Sequence, residues 1–131
     1  MNVSIRRVKP EDYGLIQGWW VVAGYNPPPL DIWPETTYIG YVGELPAMSV
    51  ALYLTNSTLA WAENFIANPE IPSEQRKELV KYGLDYLAEV AKEAGAKYFW
   101  AHPNHEKLVD YYKSLGFKPL QSGLTSMARK I

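Results

Sequence analysis

The amino-acid sequence predicts a mixed α/β (α+β) fold. A mostly antiparallel sheet of six to seven strands is flanked by helices, in the order β-α-β-β-β-α-β-α-β-β. Three observations carry this expectation. Residues 37–67 hold three strand-like runs separated by the polar turns Gly43-Glu44-Leu45-Pro46 and Thr55-Asn56-Ser57, the pattern of an antiparallel meander. Val80, Leu84, Leu87, Ala91 and Ala94 recur at helical spacing, which predicts a long helix over residues 73–94. Residues 96–101 are nearly continuously apolar, as in a strand buried on both faces. Strand, long helix and strand in succession imply a right-handed crossover between parallel neighbours.

The remaining elements follow in order. Val3 to Val8 alternates apolar and polar residues and reads as a strand. Lys9-Pro10-Glu11-Asp12 is a helix start, because proline suits the first turn and acids favour the positive end of the helix dipole. Leu15, Ile16, Trp19, Val22 and Ala23 give that helix an apolar stripe, and Gly24 ends it. Pro27-Pro28-Pro29 can be neither helix interior nor central strand, so residues 24–34 are a loop. Pro69 and Pro72 close the meander, and Gly95 suits the end of the long helix. A last helix covers about residues 104–115. Phe117–Leu120 and Leu124–Lys130 then read as a terminal hairpin through Ser122-Gly123.

At 131 residues the sequence is read as one domain. A formal net charge of -1 and the absence of a basic run argue against nucleic-acid binding by phosphate neutralisation. The lack of cysteine removes disulfides, thiolate nucleophiles and thiolate metal sites. No apolar run approaches the roughly 18 residues of a membrane span, so the sequence is read as soluble, cytoplasmic and free of membrane contacts. His102 and His105 lack partners at metal-ligand spacing, so no metal is expected. Aromatic residues make up 14% of the chain, with five Trp and ten Tyr.

The last third carries a specific pattern: an apolar strand, Asn104 at its exit, an amphipathic helix, then Tyr112 with Leu115-Gly116-Phe117. It resembles the C-terminal half of the GNAT superfamily, the acetyl-CoA-dependent N-acetyltransferases. Ala67-Asn68-Pro69 is similar to that family's Val-x-Pro at the end of its fourth strand, and Leu84, Leu87, Ala91 and Gly95 resemble the helix that follows its pyrophosphate loop. The family's Gln/Arg-x-x-Gly-x-Gly/Ala turn is degenerate here. Gln75 falls on its first position, and Glu78 and Val80 replace the small residues. Bare backbone at a helix N-terminus is what a pyrophosphate needs. The sequence therefore leaves two readings of Gln75-Arg76-Lys77-Glu78-Leu79-Val80. One is a pyrophosphate site served by Arg76, Lys77 and Lys81. The other is a plain helix start capped by Ser73, with Glu74 and Glu78 serving the dipole.

The resemblance implies roles for single residues. Tyr112 would protonate the departing thiolate of CoA, or else pack in the core with Leu108, Tyr111 and Leu115. Glu63, on a strand beside Trp61 and Phe65, would take a proton from the acceptor amine, since aromatic neighbours disfavour a charged carboxylate; otherwise it is solvated. Backbone groups of Phe65, Ile66 and Ala67 would hold the thioester. Asn104 would bind the pantetheine arm, cap the last helix, or do both. Trp19, Trp20, Tyr25 and Trp33, around the proline run, would wall the acceptor pocket, or pack as a loop on the sheet.

Two functions stay open at this point. One is an N-acetyltransferase moving acetyl from acetyl-CoA to a small-molecule or peptide amine, with a homodimer paired through the terminal hairpin. The other is a non-catalytic binding module that keeps the fold and has lost the pyrophosphate site.

Overall fold

The computed structural model describes residues 1–131. Its elements are β1 (Val3–Arg7), α1 (Tyr13–Val22), β2 (Thr37–Val42), β3 (Leu45–Leu54), β4 (Leu59–Ala67), α2 (Ser73–Glu93), β5 (Tyr98–Ala101) and α3 (Glu106–Ser114). Short 3-10 turns at Pro10–Asp12 and Leu30–Ile32 precede α1 and β2. No helix is long and apolar enough to cross a membrane.

The sheet has five strands in chain order. β1 to β4 pair antiparallel, and β5 joins β4 in parallel through the α2 crossover. The meander follows from the sequence turns, although β3 begins earlier than expected. Pro46 lies inside it, where the β2–β3 register shifts after Gly40. A bulge tolerates the missing proline donor.

The two faces of the sheet bury different clusters. Met48, Val50, Leu52, Ala60 and Ala62 meet Leu79, Val80, Leu84 and Leu87 of α2 on one face, with Tyr112 of α3. Ile39 and Ile66 meet Ile16 and Trp19 of α1 on the other. α2 seats closely because Gly40 and Gly83 make room for Met48. A Cβ built on Gly40 would lie 2.6 Å from Met48 Cε, and one on Gly83 would lie 3.4 Å away. Leu15 and Val22, expected in the α1 stripe, are exposed; only Ile16 and Trp19 of that helix are buried.

The expected terminal hairpin is not formed, and the sheet has five strands rather than six or seven. Residues 117–131 contain no strand. Phe117, Leu120, Leu124, Met127 and Ile131 recur every three or four residues, so the segment never presents the alternating face a strand needs. Pro119 also lacks a ladder donor. Leu120, Leu124, Met127 and Ile131 are exposed.

Candidate active site

β4 and β5 part company. They pair from Leu59↔Tyr98 to Ala62↔Ala101 and no further, while β4 runs on to Ala67. The space that opens is bounded by β4 on one side and by the β5–α3 connection on the other.

β4 bends as it enters this space. Between Ser49↔Ile66 and Ala51↔Glu63 the register gains one residue on β4, and Asn64 sits at φ 59, the one non-glycine with a left-handed backbone. Asparagine tolerates that region better than most residues. Asn64 Nδ2 donates to Tyr53 Oη at 2.8 Å, and Tyr53 Oη donates to the Ile32 carbonyl at 3.1 Å. The bulge is thus tied to the loop before β2.

The bulge also changes which residues share a face. Trp61 and Glu63 stand on the α1 side, but Phe65 packs with the α2 cluster. The expected grouping of Glu63 with both Trp61 and Phe65 is therefore corrected, because it assumed an unbroken alternation. Past the bulge, Asn68 N–H donates to the Ala47 carbonyl at 2.8 Å. Antiparallel alternation then turns the backbone groups of Ile66 toward β3 and those of Phe65 and Ala67 toward the open space.

Glu63 and His102 meet at the parting point on the α1 side, and Tyr112 packs on the α2 side within reach of the Glu63 charge. Glu63 Oε2 lies 3.2 Å from His102 Nδ1, their side chains being 42% and 51% exposed. Glu63 is thus half in water rather than sheathed by aromatics. Tyr112 is 8% exposed, its ring 5.4 Å from that of Phe117. No protein group hydrogen-bonds the Tyr112 hydroxyl, yet no buried side-chain polar atom lacks a partner, so the hydroxyl opens to solvent. Burial first, and the nearby Glu63 charge second, push the phenol up to about 12. It is therefore protonated at neutral pH. Full proton transfer to a thiolate with a conjugate acid near 8.5 would run uphill by roughly 5 kcal/mol, so Tyr112 is suited to donating a hydrogen bond rather than its proton outright.

α3 is positioned from both ends. His105 caps it, its Nδ1 accepting from Leu108 N–H at 3.3 Å, so the cap is His105 and not Asn104. Asn104 is exposed in the connection. Tyr111 Oη donates to the Lys77 carbonyl at 2.9 Å, and Lys77 Nζ lies 5.5 Å from the Tyr111 ring centre, which pins α3 to the start of α2.

The start of α2 differs from both readings of the sequence. The helix begins at Ser73 with Pro72 at the cap position and no side-chain cap bond, so Ser73 does not satisfy the terminus. The first helical bond is from Arg76 N–H to the Pro72 carbonyl, which leaves the amides of residues 73–75 free. Gln75 through Val80 lie within the helix rather than in a turn before it. Leu79 and Val80 point into the core, and Gln75 and Glu78 point outward. Arg76 is committed to the preceding loop, Nε donating to the Ile71 carbonyl at 2.7 Å and Nη2 to the Pro69 carbonyl at 3.0 Å. Lys81 pairs with Asp85 at 2.6 Å.

The aromatic-proline segment divides. Trp19 is core. Trp20 and Trp33 line a narrow crevice with Ile16, Thr37, Ser49, Ala51 and Asn64. Tyr25 is exposed, its ring 6.3 Å from that of Trp20. No group of three or more His, Asp or Glu side chains converges as a metal site would require.

His102 was set aside on sequence grounds. The signal lay in the crossover: once Ala62 and Ala101 are register partners, Glu63 and His102 are the next pair along.

An antiparallel meander, a long crossover helix, and a parallel strand that parts from its neighbour beside a bulge together make the GNAT fold. Solved structures agree. An acetyltransferase from Trypanosoma brucei matches with a TM-score of 0.76 at 15% identity, over 97% of this chain and 100% of that one. The ribosomal-protein-S18-alanine N-acetyltransferase from Escherichia coli matches at 0.67 and 15% identity, over 92% of this chain and 80% of that one. A predicted acetyltransferase from Clostridium acetobutylicum, solved with acetyl-CoA, matches at 0.63 and 15% identity over 96% of each chain. At such identities the likeness is one of fold. No family model and no curated protein matches the sequence.

Proposed function

We propose that the protein is an N-acetyltransferase that moves an acetyl group from acetyl-CoA to a primary amine on a small molecule or peptide. The observation that carries this reading is the parting of β4 from β5, with Glu63 and His102 on its α1 side and Tyr112, whose phenol feels the Glu63 charge, packed on its α2 side. The acetyltransferases of the same fold, one of them solved with acetyl-CoA, support it.

The residues present fit acetyl-CoA at both ends. The free amides of residues 73–75, at the positive end of a 21-residue helix, suit a pyrophosphate. Val80 does not obstruct them, because its side chain is in the core. Glu78 stands outward, where solvent screens its charge. Phe65 and Ala67 turn backbone N–H groups toward the opening, where they would hold the thioester carbonyl oxygen. Asn104, exposed at the mouth, would meet the pantetheine arm. Bound there, acetyl-CoA would supply the activated acetyl group.

The chain's own work is then proton handling. The Glu63 carboxylate holds the acceptor ammonium and takes up its proton, positioned by the imidazole of His102. Tyr112 donates a hydrogen bond to the sulfur as negative charge develops there. A non-catalytic module is the reading favoured by Arg76, whose guanidinium is spent on two loop carbonyls rather than kept for phosphate. Calorimetric titration decides between them, using acetyl-CoA, CoA and desulfo-CoA. Micromolar binding with turnover of an amine panel supports the enzyme. No heat at millimolar acetyl-CoA would sink it.

A further inference from the structure

The α1 side of β3, β4 and β5 carries a row of aromatic residues that the proton handling does not use. Tyr53 is the register partner of Trp61, and Trp61 is the register partner of Trp100, so the three stand abreast across adjacent strands. Tyr53 and Trp61 stack at 5.6 Å with a 21° interplanar angle. Trp100 is 42% exposed, and its ring meets that of His102 edge-on at 6.5 Å. Exposed tryptophan on a sheet face is costly to leave wet, and α1 covers only the part of this face built by Ile39 and Ile66.

The row ends at the Glu63–His102 pair. Residues two apart on a strand lie about 6.6 Å apart on the same face, so Glu63 sits about that far beyond Trp61, and His102 about that far beyond Trp100. Glu63 is the carboxylate at this end of the row, while Asp31 stands next to Ile32, whose carbonyl Tyr53 bonds, at the other end. The surface therefore sets a carboxylate at the end of a row of aromatic rings.

We infer that the acceptor is an arylalkylamine: an aromatic ring lying against Trp61 and Trp100, with a single primary amine on an arm of two or three carbons reaching the Glu63–His102 pair. A C–C bond of about 1.5 Å makes such an arm span about 5 to 6 Å from ring centre to nitrogen, which matches the strand spacing. The ring gains stacking against the indoles, and the ammonium gains the Glu63 carboxylate. Simple alkylamines leave the indoles wet. The inference rests on the acetyl-transfer reading for its use, but its test does not.

The test is a binding titration of the full chain without acetyl-CoA, followed by chemical-shift changes of the indole N–H signals. Phenethylamine, 3-phenylpropylamine, butylamine, spermidine, glucosamine and an alanyl peptide are compared. Phenethylamine or 3-phenylpropylamine binding about tenfold tighter than butylamine is expected. Trp100→Ala and Trp61→Leu should each remove most of that preference. Trp100 is half exposed, so its variant decides the matter even if Trp61→Leu fails to fold. Glu63→Gln should weaken all amines while 2-phenylethanol is unaffected. Equal binding of butylamine and phenethylamine overturns the inference, as does tighter binding of spermidine, glucosamine or the peptide. Ring preference without any acetyl transfer would count against the proposed activity and leave the acceptor surface standing.

Discussion

Two polar clusters sit at different places on the sheet, and they are built on opposite principles. Near the start of the chain, Arg6 grips Asp12 with both arms, Nη1 to Oδ2 at 2.7 Å and Nη2 to Oδ1 at 2.9 Å. Arg6 Nη2 also donates to Tyr41 Oη at 2.8 Å, and Lys9 N–H donates to Asp12 Oδ2 at 2.7 Å. The Asp12 side chain is only 11% exposed. This cluster ties β1, β2 and the entry to α1 together, and all four Nη hydrogens of Arg6 are used, two on Asp12, one on Tyr41 Oη and one on the Arg7 carbonyl. At the β4–β5 opening, Glu63 and His102 share one contact at 3.2 Å between half-exposed partners, and the Tyr112 hydroxyl has none. Satisfied, shielded charge holds a fold. Charge left with spare valence, next to an opening, is available to a ligand.

The largest effect should come from the open cluster. Glu63→Gln should lower kcat by about 10²-fold, the usual scale for losing a positioned base, and Tyr112→Phe by about the same factor, the scale for losing one hydrogen-bond donor aimed at developing charge. Neither should shift Tm by more than about 2 °C, because the Tyr112 hydroxyl and the outer Glu63 oxygen support no other element. Steady-state kinetics with thermal melts checks this pair of outcomes. A large Tm loss with unchanged turnover of folded protein would reverse the assignment of the two clusters.

Next in size is the closed cluster. Asp12→Asn should cost about 2 kcal/mol, since it leaves Arg6 and Lys9 N–H facing a neutral partner; screening at the half-exposed Arg6 keeps the loss below that of a fully buried pair. Activity per folded molecule should be unchanged. The Arg6 guanidinium, through its hydrogen bonds, holds the Asp12 carboxyl below the usual carboxylate range. A lowered folded-state value means the stabilisation is present above the unfolded value near 4 and is lost as pH falls through the folded one. Chemical denaturation of both forms should therefore show a constant gap from pH 5 to 8 that closes below pH 4.

The comparison also explains what the sequence made legible. The α2 stripe and the meander are periodic over many residues, so each was readable without knowing its neighbours; β5 was readable as a strand from its apolar run, but not as one whose Tyr98 and Trp100 face is exposed, because an apolar run does not say what covers it. The place of Tyr112 near the end of α3 was readable because its spacing to Gly116-Phe117 is local. The Glu63–His102 pair was not, since it depends on the register of two strands separated by a 21-residue helix. The reach of Phe65 was misread for a related reason: one inserted residue at Asn64 reverses the parity of all that follows. The α2 start was read at Ser73, as found, but its cap was placed one position late, on Ser73 rather than Pro72, because serine is the better capping side chain and only the chain path chooses. The terminal hairpin was read from turn chemistry at Ser122-Gly123, but a turn cannot make strands of flanks that lack alternation.

A smaller effect should separate Glu63 from its neighbour. His102→Gln should lower kcat/KM by about tenfold, less than Glu63→Gln, because the carboxylate that faces the amine is kept. A merely structural histidine would lower stability and leave the pH profile alone. A positioning histidine should instead change the acid limb of kcat/KM while Tm stays fixed, and a profile unchanged in shape would return His102 to the role of a bystander.

The smallest effect tests the hinge on which the open cluster depends. Asn64→Ala places an ordinary side chain at φ 59 and removes the donor to Tyr53 Oη, and should cost about 1 kcal/mol. Asn64→Gly removes the same donor but relieves the backbone, and should fall within about 0.5 kcal/mol of the natural protein. If the left-handed turn is what aims Phe65 and Ala67 N–H into the opening, the glycine variant keeps its turnover and the alanine variant loses part of it. Equal turnover in both, measured beside their stabilities, would mean that the bulge serves packing alone and that the oxygen-binding donors lie elsewhere in the opening.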